Sequence, residues 1–462
     1  MRLFPNTRRD VLLKLAAAMT ALMAAPLPRG FAQGTIRMRK NIETLSADEL
    51  SAYKHAVQVM KDHSSNPNDP KGYAYWAALH DLYDESIHSG CAHFSEKFFP
   101  WHRRYLYDFE VALQNSDPPV TKNVMIPYWD WTIKTTTGTN YPAAFEDSAS
   151  PLFDNRFPIS QPPWDPKDIL SMVKEPDWSL FAGKPDASNG FGNNPGSVEV
   201  GPHNTLHTNI SSDMSDPQSA VQDPIFWSFH AGIDLCWSRW QHLHVTDARP
   251  QPFVDPEAVL WFQNRSFTVG TTGKTSDYFY EYDYDYSKDA AAVAVAGAAP
   301  AVLAQASIIK PPRNVIPFTA GAEKDRHVTM EQATPATTSE VLRLGDVKYF
   351  SGRSYRLNLY LHPRTVDISG LGADARKEYF MRTLTLWKAH HDGTAEMFIR
   401  PTPEQAARLG EGWVVTIQSE DVVREPPKKT SAPASHAGHT EAVAAPLPPT
   451  SALVKSLELQ ER

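Results

Sequence analysis

The sequence predicts a mainly α domain followed by a smaller β-sandwich-like domain, and three observations carry that reading. Apolar residues recur at helical spacing in separate segments between residues 46 and 240. From 313 to 424 the pattern changes to short runs of strand-forming residues bounded by turn signals. Between the two, residues 288–312 are alanine-rich and end in Pro311-Pro312, the composition of a linker. At 462 residues the chain exceeds one ordinary domain and can bury a large core.

The helices follow in order. Ser46 is a suitable N-cap for 46–62, where Leu50, Tyr53, Ala56, Val57 and Met60 share a face. Residues 71–87 repeat the pattern with Tyr75, Leu79, Leu82 and Tyr83. A third helix begins near Pro100-Trp101-His102 and runs through Leu106, Phe109 and Leu113. Residues 132–200, rich in Pro, Gly, Asn and Ser, read mostly as loop. A short helix carries His203 to Ile210, and a strong one starts at Asp223-Pro224, a cap followed by proline in the first turn. The strands of the second domain include 347–350, 355–361, 382–387 and 412–417. The Pro-, Ala-, Ser- and Thr-rich residues 425–462 read as a largely disordered tail.

The first 32 residues read as an export signal, in which Thr7-Arg8-Arg9-Asp10-Val11-Leu12-Leu13-Lys14 precedes an apolar stretch from Leu15 to Leu27. The paired arginines point to twin-arginine export, the alternative being an ordinary secretory signal. A bilayer span needs about 20 apolar residues, so a permanent membrane anchor is not expected. A net charge of −8 without basic clusters in the body of the chain argues against nucleic acid as a partner. Two cysteines, Cys91 and Cys236, do not make a disulfide framework.

Histidine carries the chemistry. His80, His93 and His102 form one cluster, and His203, His207 and His230 a second. His203 and His207 are four apart and share a helical face, and His230 lies on the next helix, turned inward by its apolar neighbours. Three imidazoles suit copper, zinc or iron on ligand type alone. Two such triplets on packed helices describe a binuclear centre. Zinc pairs and di-iron bundles usually include carboxylates, so an all-imidazole pair fits copper best, within a four-helix bundle around a dicopper site.

Four blocks then carry a resemblance: Phe98-Phe99-Pro100-Trp101-His102-Arg103-Arg104-Tyr105, Ile126-Pro127-Tyr128-Trp129-Asp130-Trp131, His203-Asn204-Thr205-Leu206-His207 and Asp223-Pro224-Ile225-Phe226-Trp227. In type and order they resemble the signature blocks of tyrosinases and polyphenol oxidases, the type-3 copper family, over residues 37–286. The strand-rich part resembles the C-terminal domain of plant and fungal members. The resemblance implies a catalytic domain over 33–287, with His80, His93 and His102 on one copper and His203, His207 and His230 on the other. It also implies dioxygen as co-substrate and phenols as substrates.

Other positions match family features. Cys91 precedes His93 by two, as in members whose cysteine is joined to that histidine by a thioether; the alternative is a free or disulfide-bonded thiol. Glu199 lies where plant-type members hold a water with glutamate, and Asn204 stands where that water would have a second partner. Together they imply a base for a monophenol, unless Glu199 is a solvated loop carboxylate. The chain departs from the family where Phe229 precedes His230 in place of a histidine, and where Ile233-Asp234-Leu235 lacks a bracing arginine. Tyr280–Tyr286 resembles the tyrosine motif that closes the catalytic domain, with Arg37 or Arg39 stacked on it. The expected activity is that of a tyrosinase, ortho-hydroxylating monophenols and oxidising ortho-diphenols to quinones. A catechol oxidase and a haemocyanin-like oxygen carrier are the alternatives. A C-terminal domain that covers the site and keeps the enzyme latent is a further expectation, with no residue assigned to the plug.

Overall fold

A computed structural model describes residues 36–81, 91–185, 192–246, 253, 259–262, 265–295, 314–315, 319–320, 327–331, 340–389, 392–409, 413–422, 447–448 and 450–461. The expected export signal and the histidines of the tail, His436 and His439, lie outside these residues.

The first domain opens with β1 (Arg37–Arg39) and α1 (Ala47–Asp62). Ser46 caps α1 reciprocally: its hydroxyl accepts from the Glu49 N–H, and its own N–H donates to the Glu49 carboxylate. Such a cap contributes about 1 kcal/mol. The face predicted for this helix is the one buried: Tyr53, Ala56, Val57 and Met60. Next come α2 (Tyr73–Asp81) and α3 (Phe98–Ser116). α3 starts two residues before Pro100, which falls in the first turn, where a missing N–H costs nothing.

The 132–200 stretch is less irregular than its composition suggests. It carries α4 (Pro166–Val173) and α5 (Trp178–Ala182), capped by the carboxylates of Asp165 and Asp177. Both are too short for a periodic pattern to register. α6 (Asn204–Ile210) follows a π-helical turn over Glu199–His203, and α7 (Ile225–His244) is buried on every side from Ile225 to Trp240. A helix apolar all round belongs in a core, and α7 runs through it. Gly232 permits the closest approach, because a Cβ there would lie 2.6 Å from the Trp129 carbonyl oxygen. β2 (Tyr280–Tyr282) pairs in parallel with β1 and closes the domain.

A correction concerns the linker. Its first part is α8 (Ser287–Val295), whose Asp289 forms a two-point ion pair with Arg239 of α7, at 2.8 and 2.9 Å. Alanine-rich composition there marks a good helix former, docked by this ion pair and by Lys174 Nζ, which donates to the Ala292 carbonyl at 2.8 Å.

The second domain is a sandwich of two largely antiparallel sheets. In chain order its strands are β3 (Asn314–Val315), β4 (Thr319–Ala320), β5 (His327–Glu331), β6 (Glu340–Tyr349), β7 (Tyr355–Pro363), β8 (Phe380–Leu386), β9 (Gly393–Ile399), β10 (Trp413–Asp421) and β11 (Ser456–Glu461). The sheets run β8-β7-β10-β5-β4 and β9-β6-β11-β3. Leu342, Leu344, Leu357, Leu359, Val415, Ile417, Leu457 and Leu459 form much of the core between them. The end of the tail departs from the disorder expected over much of 425–462, because Ser456–Glu461 is an inner strand paired with β6 and β3. Its Leu-x-Leu alternation is two residues deep and follows a Pro-rich stretch, so it carries little signal.

The cores interlock. Trp387, just after β8, belongs to the helical core, whereas Phe94 and Val200 of the first domain belong to the sandwich core.

Candidate metal centre

All six predicted histidines converge in one buried cluster between α2, α3, α6 and α7. The ligand nitrogens of His80, His93 and His102 lie within 4.8 Å of one another, as do those of His102, His203 and His230. His207 joins the second group through its Nε2, 3.2 Å from Nε2 of His230. His102 and His230 stack across the centre, with ring centroids 4.6 Å apart.

Five of the six rings are held through Nδ1. His102 bonds the Phe98 carbonyl one turn back on α3 at 2.8 Å, His80 the Pro217 carbonyl at 3.1 Å and His207 the Met214 carbonyl at 2.9 Å. His93 Nδ1 donates to Glu199 Oε1 at 2.9 Å and His203 Nδ1 to Asn204 Oδ1 at 2.8 Å. A partner on Nδ1 fixes the tautomer and turns Nε2 toward an ion. In His102 and His203 that Nε2 is buried with no hydrogen-bond partner, and so is His230 Nδ1. Burial, and then the neighbouring imidazoles, lower the proton affinity of His93, His102, His203 and His230 far below the ordinary range. For His207 burial brings the pKa down to about 3. Neutral imidazoles with buried nitrogens directed inward are a donor set made for metal ions.

Glu199 and Asn204 both lie in the cluster, fully buried. Besides His93, Glu199 accepts the Phe94 N–H through both oxygens, at 2.8 and 3.0 Å. Burial pushes its carboxyl well up, against the pull of that N–H. Asn204 Nδ2 donates to the Thr385 carbonyl of the second domain at 2.8 Å. Both residues thus hold imidazole rings of the cluster, a role the sequence reading did not assign them. Cys91 is buried near the start of the segment that carries His93.

Asp234, one turn after His230 on α7, is braced from α3. Arg103 Nε donates to Asp234 Oδ1 at 2.7 Å, and the other Asp234 oxygen accepts from Tyr280 and Tyr282. Arg39 stacks at 3.6 Å over Tyr280 and pairs with Glu110 at 2.9 Å, so the tyrosine motif closes on a buried ion network. Asp234 serves that network rather than a ligand ring.

The second domain reaches the centre through Trp387. Its indole stacks on His207, with centroids 4.0 Å apart and planes 22° from parallel, and lies 5.7 Å from His93 and 5.8 Å from His203. Its Nε1 donates to the Ser215 carbonyl at 2.9 Å. Around it, Thr385 bonds Thr205 at 2.6 Å, Lys388 pairs with Asp216 at 3.0 Å and Arg400 with Glu175 at 2.7 Å. Sequence reasoning missed Trp387 because it closes an ordinary strand pattern. It missed the carbonyls of Phe98, Met214 and Pro217 because a main-chain acceptor has no residue-type signature.

Comparison with known proteins agrees with this geometry. The common central domain of tyrosinase matches residues 70–162 and 147–243. A tyrosinase of Hahella sp. is 28% identical over 252 residues, 44% of this chain and 53% of its own. A chloroplastic polyphenol oxidase of Vicia faba is 30% identical over 250 residues, 45% and 40% of the two chains. The chain thus spans about half the length of the curated relatives it matches. The structure of latent apple tyrosinase superposes with a TM-score of 0.61 at 20% identity, covering 84% of this chain and 95% of that one, which extends the likeness in fold to the second domain. Residues 70–243, which hold all six histidines, thus carry the common central domain of tyrosinase, and the fold beyond them is similar to that of latent apple tyrosinase.

Proposed function

We propose that this chain is a dicopper phenol oxidase that hydroxylates monophenols at the ortho position and oxidises the resulting diphenols to ortho-quinones with dioxygen. The observation that carries the proposal is the buried cluster of six neutral imidazoles on a tyrosinase central domain. His80, His93 and His102 would hold one copper, and His203, His207 and His230 the other. Bound there, the pair would supply dioxygen binding and two-electron redox chemistry. The protein supplies orientation, buried surroundings and a base.

Glu199 is the residue for the base, acting through a water shared with Asn204. An ionised carboxylate offers about four lone-pair sites; among the described residues two contacts fall on Oε1 of Glu199 and one on Oε2, so Oε2 can accept one more. Burial raises its proton affinity, which suits removal of a phenolic proton. Glu199→Gln tests this: monophenol turnover should fall much further than diphenol turnover, and equal retention of both would remove the base from the mechanism. A catechol oxidase is the alternative, favoured if the unaltered enzyme oxidises a diphenol and leaves the matching monophenol untouched.

Three further readings belong to the proposal. Cys91 forms a thioether to His93 once copper and dioxygen are supplied, its S–H and a ring C–H giving two electrons and two protons to dioxygen as the C–S bond forms, so the intact mass falls by two hydrogens; an unchanged mass would leave the thiol unreacted. Trp387 closes the centre and keeps the enzyme latent, supported by its stack on His207. Export follows the twin-arginine route through Arg8 and Arg9, and replacing both by lysine should retain the protein in the cytoplasm. No helix among the described residues is long and apolar enough to cross a membrane.

A further inference from the structure

Of the six histidines, His93 alone lies outside a helix or helical turn. His80, His102, His207 and His230 inherit their direction from α2, α3, α6 and α7, and His203 from the π turn that leads into α6. An imidazole on a loop has to be held by its neighbours, and the neighbours of His93 lead into the β-sandwich.

Phe94 is the first link. Its backbone is left-handed, with φ +56°, a conformation that costs a non-glycine residue about 1–2 kcal/mol and persists where surroundings over-determine it. Its ring is buried in the sandwich core, edge-on to Tyr349 of β6 with centroids 5.2 Å apart. The left-handed turn thus sends two consecutive side chains into different domains, His93 among the ligands and Phe94 into the sandwich. The second link is Val200, buried in the same core directly after Glu199, which holds His93 Nδ1. The third is the 192–194 segment. Gly192 N–H donates to the His93 carbonyl at 2.7 Å and Asn194 N–H to the Phe94 carbonyl at 2.8 Å, while the Glu396 N–H of β9 donates to the Asn193 carbonyl at 2.8 Å.

We infer that the β-sandwich is a structural part of the first copper site, with Phe94 and Tyr349 acting as positioning residues that set His93. Disturbing their contact loosens one copper, which is distinct from uncovering the centre. The inference rests on the reading of the six histidines as copper ligands.

Copper content and resistance to a chelator, measured on the full-length protein, test it. The unaltered chain should hold two coppers. Tyr349→Ala and Phe94→Ala should each lose one of them at a chelator concentration lower by roughly tenfold or more, the loss typical when a partner that orients a ligand is removed. Ile417→Ala, which truncates the same core from the other sheet, should hold both as the unaltered chain does. Amide exchange of residues 91–97 in metal-free protein should quicken in Tyr349→Ala and not in Ile417→Ala. Two coppers held with unaltered affinity in Tyr349→Ala would overturn the inference, as would equal effects of Tyr349→Ala and Ile417→Ala. If the unaltered chain binds no copper pair, the copper reading falls, and the metal-free exchange alone decides whether the sandwich sets His93.

Discussion

Trp387→Ala should convert a slow enzyme into a fast one without touching a ligand. A tryptophan buries about 150–250 Å², worth at most about 4–6 kcal/mol of burial at ~25 cal/mol per Å². Truncations of buried aromatic residues to alanine cost about 3–5 kcal/mol. The hydrogen bond to the Ser215 carbonyl, about 1 kcal/mol net, is lost with the indole. The ion pairs of Lys388 with Asp216 and Arg400 with Glu175 remain, so the domain stays attached while its plug is gone. If about 3 kcal/mol of the closed state rests on the indole, its removal shifts access to the centre by roughly 100-fold. The assay is kcat/KM for catechol with the full-length copper-loaded protein, copper content measured in parallel. Trp387→Phe should fall between, because it keeps a ring over His207 and loses the hydrogen bond. A kcat/KM for Trp387→Ala within about threefold of the unaltered enzyme, at equal copper content, would refute the reasoning, since the structure would then be open to substrate with the indole in place.

Other predictions follow from the same geometry. Burial lowers the pKa of His93, His102, His203, His207 and His230 in the folded protein. The unfolded chain therefore takes up protons that the fold refuses, and stability, full above about pH 6.5, is lost as pH falls. Each such histidine removes about 1.4 kcal/mol per pH unit; for His207 the window runs from 6.5 down to about 3. Metal-free protein should melt several degrees lower at pH 5 than at pH 7, and equal melting temperatures would contradict the assignment of neutral, buried imidazoles. Asp234→Ala leaves the buried Arg103 without its carboxylate partner and takes one partner from Arg39, so it should cost about 3–5 kcal/mol, read from denaturant unfolding; a loss under about 1 kcal/mol would mean the network is slack. Arg239→Ala should free α8 from α7 and hasten proteolysis near residue 290, whereas an unchanged cleavage rate would show that the ion pair with Asp289 does not hold that helix.

Much of the first domain was legible in the sequence because its signals are local. Ser46 as a cap, Asp223 before Pro224 and the spacing of His203 and His207 each specify structure within one turn, and each stands where it was expected. What escaped depends on residues far apart in sequence. Arg103 reaches Asp234 across 131 residues, and Asn204 is tied to Thr385 across 181. Trp387 reads as one more apolar residue at the end of a strand, and only the docking of two domains makes it a neighbour of His207. Phe94 is the same case in reverse, an aromatic residue beside a ligand histidine whose packing partners belong to the other domain. The last strand, Ser456–Glu461, is recognisable only once β6 offers it an edge.

Oxygen uptake tests the central claim most directly, measured with full-length Trp387→Ala protein carrying two coppers and given a monophenol and its matching ortho-diphenol in turn. The account predicts rapid uptake with both, abolished for the diphenol as well when His203 is replaced by alanine. No uptake with either phenol, at full copper content and with the plug removed, would contradict a phenol oxidase and leave the cluster as a site that binds metal without this chemistry.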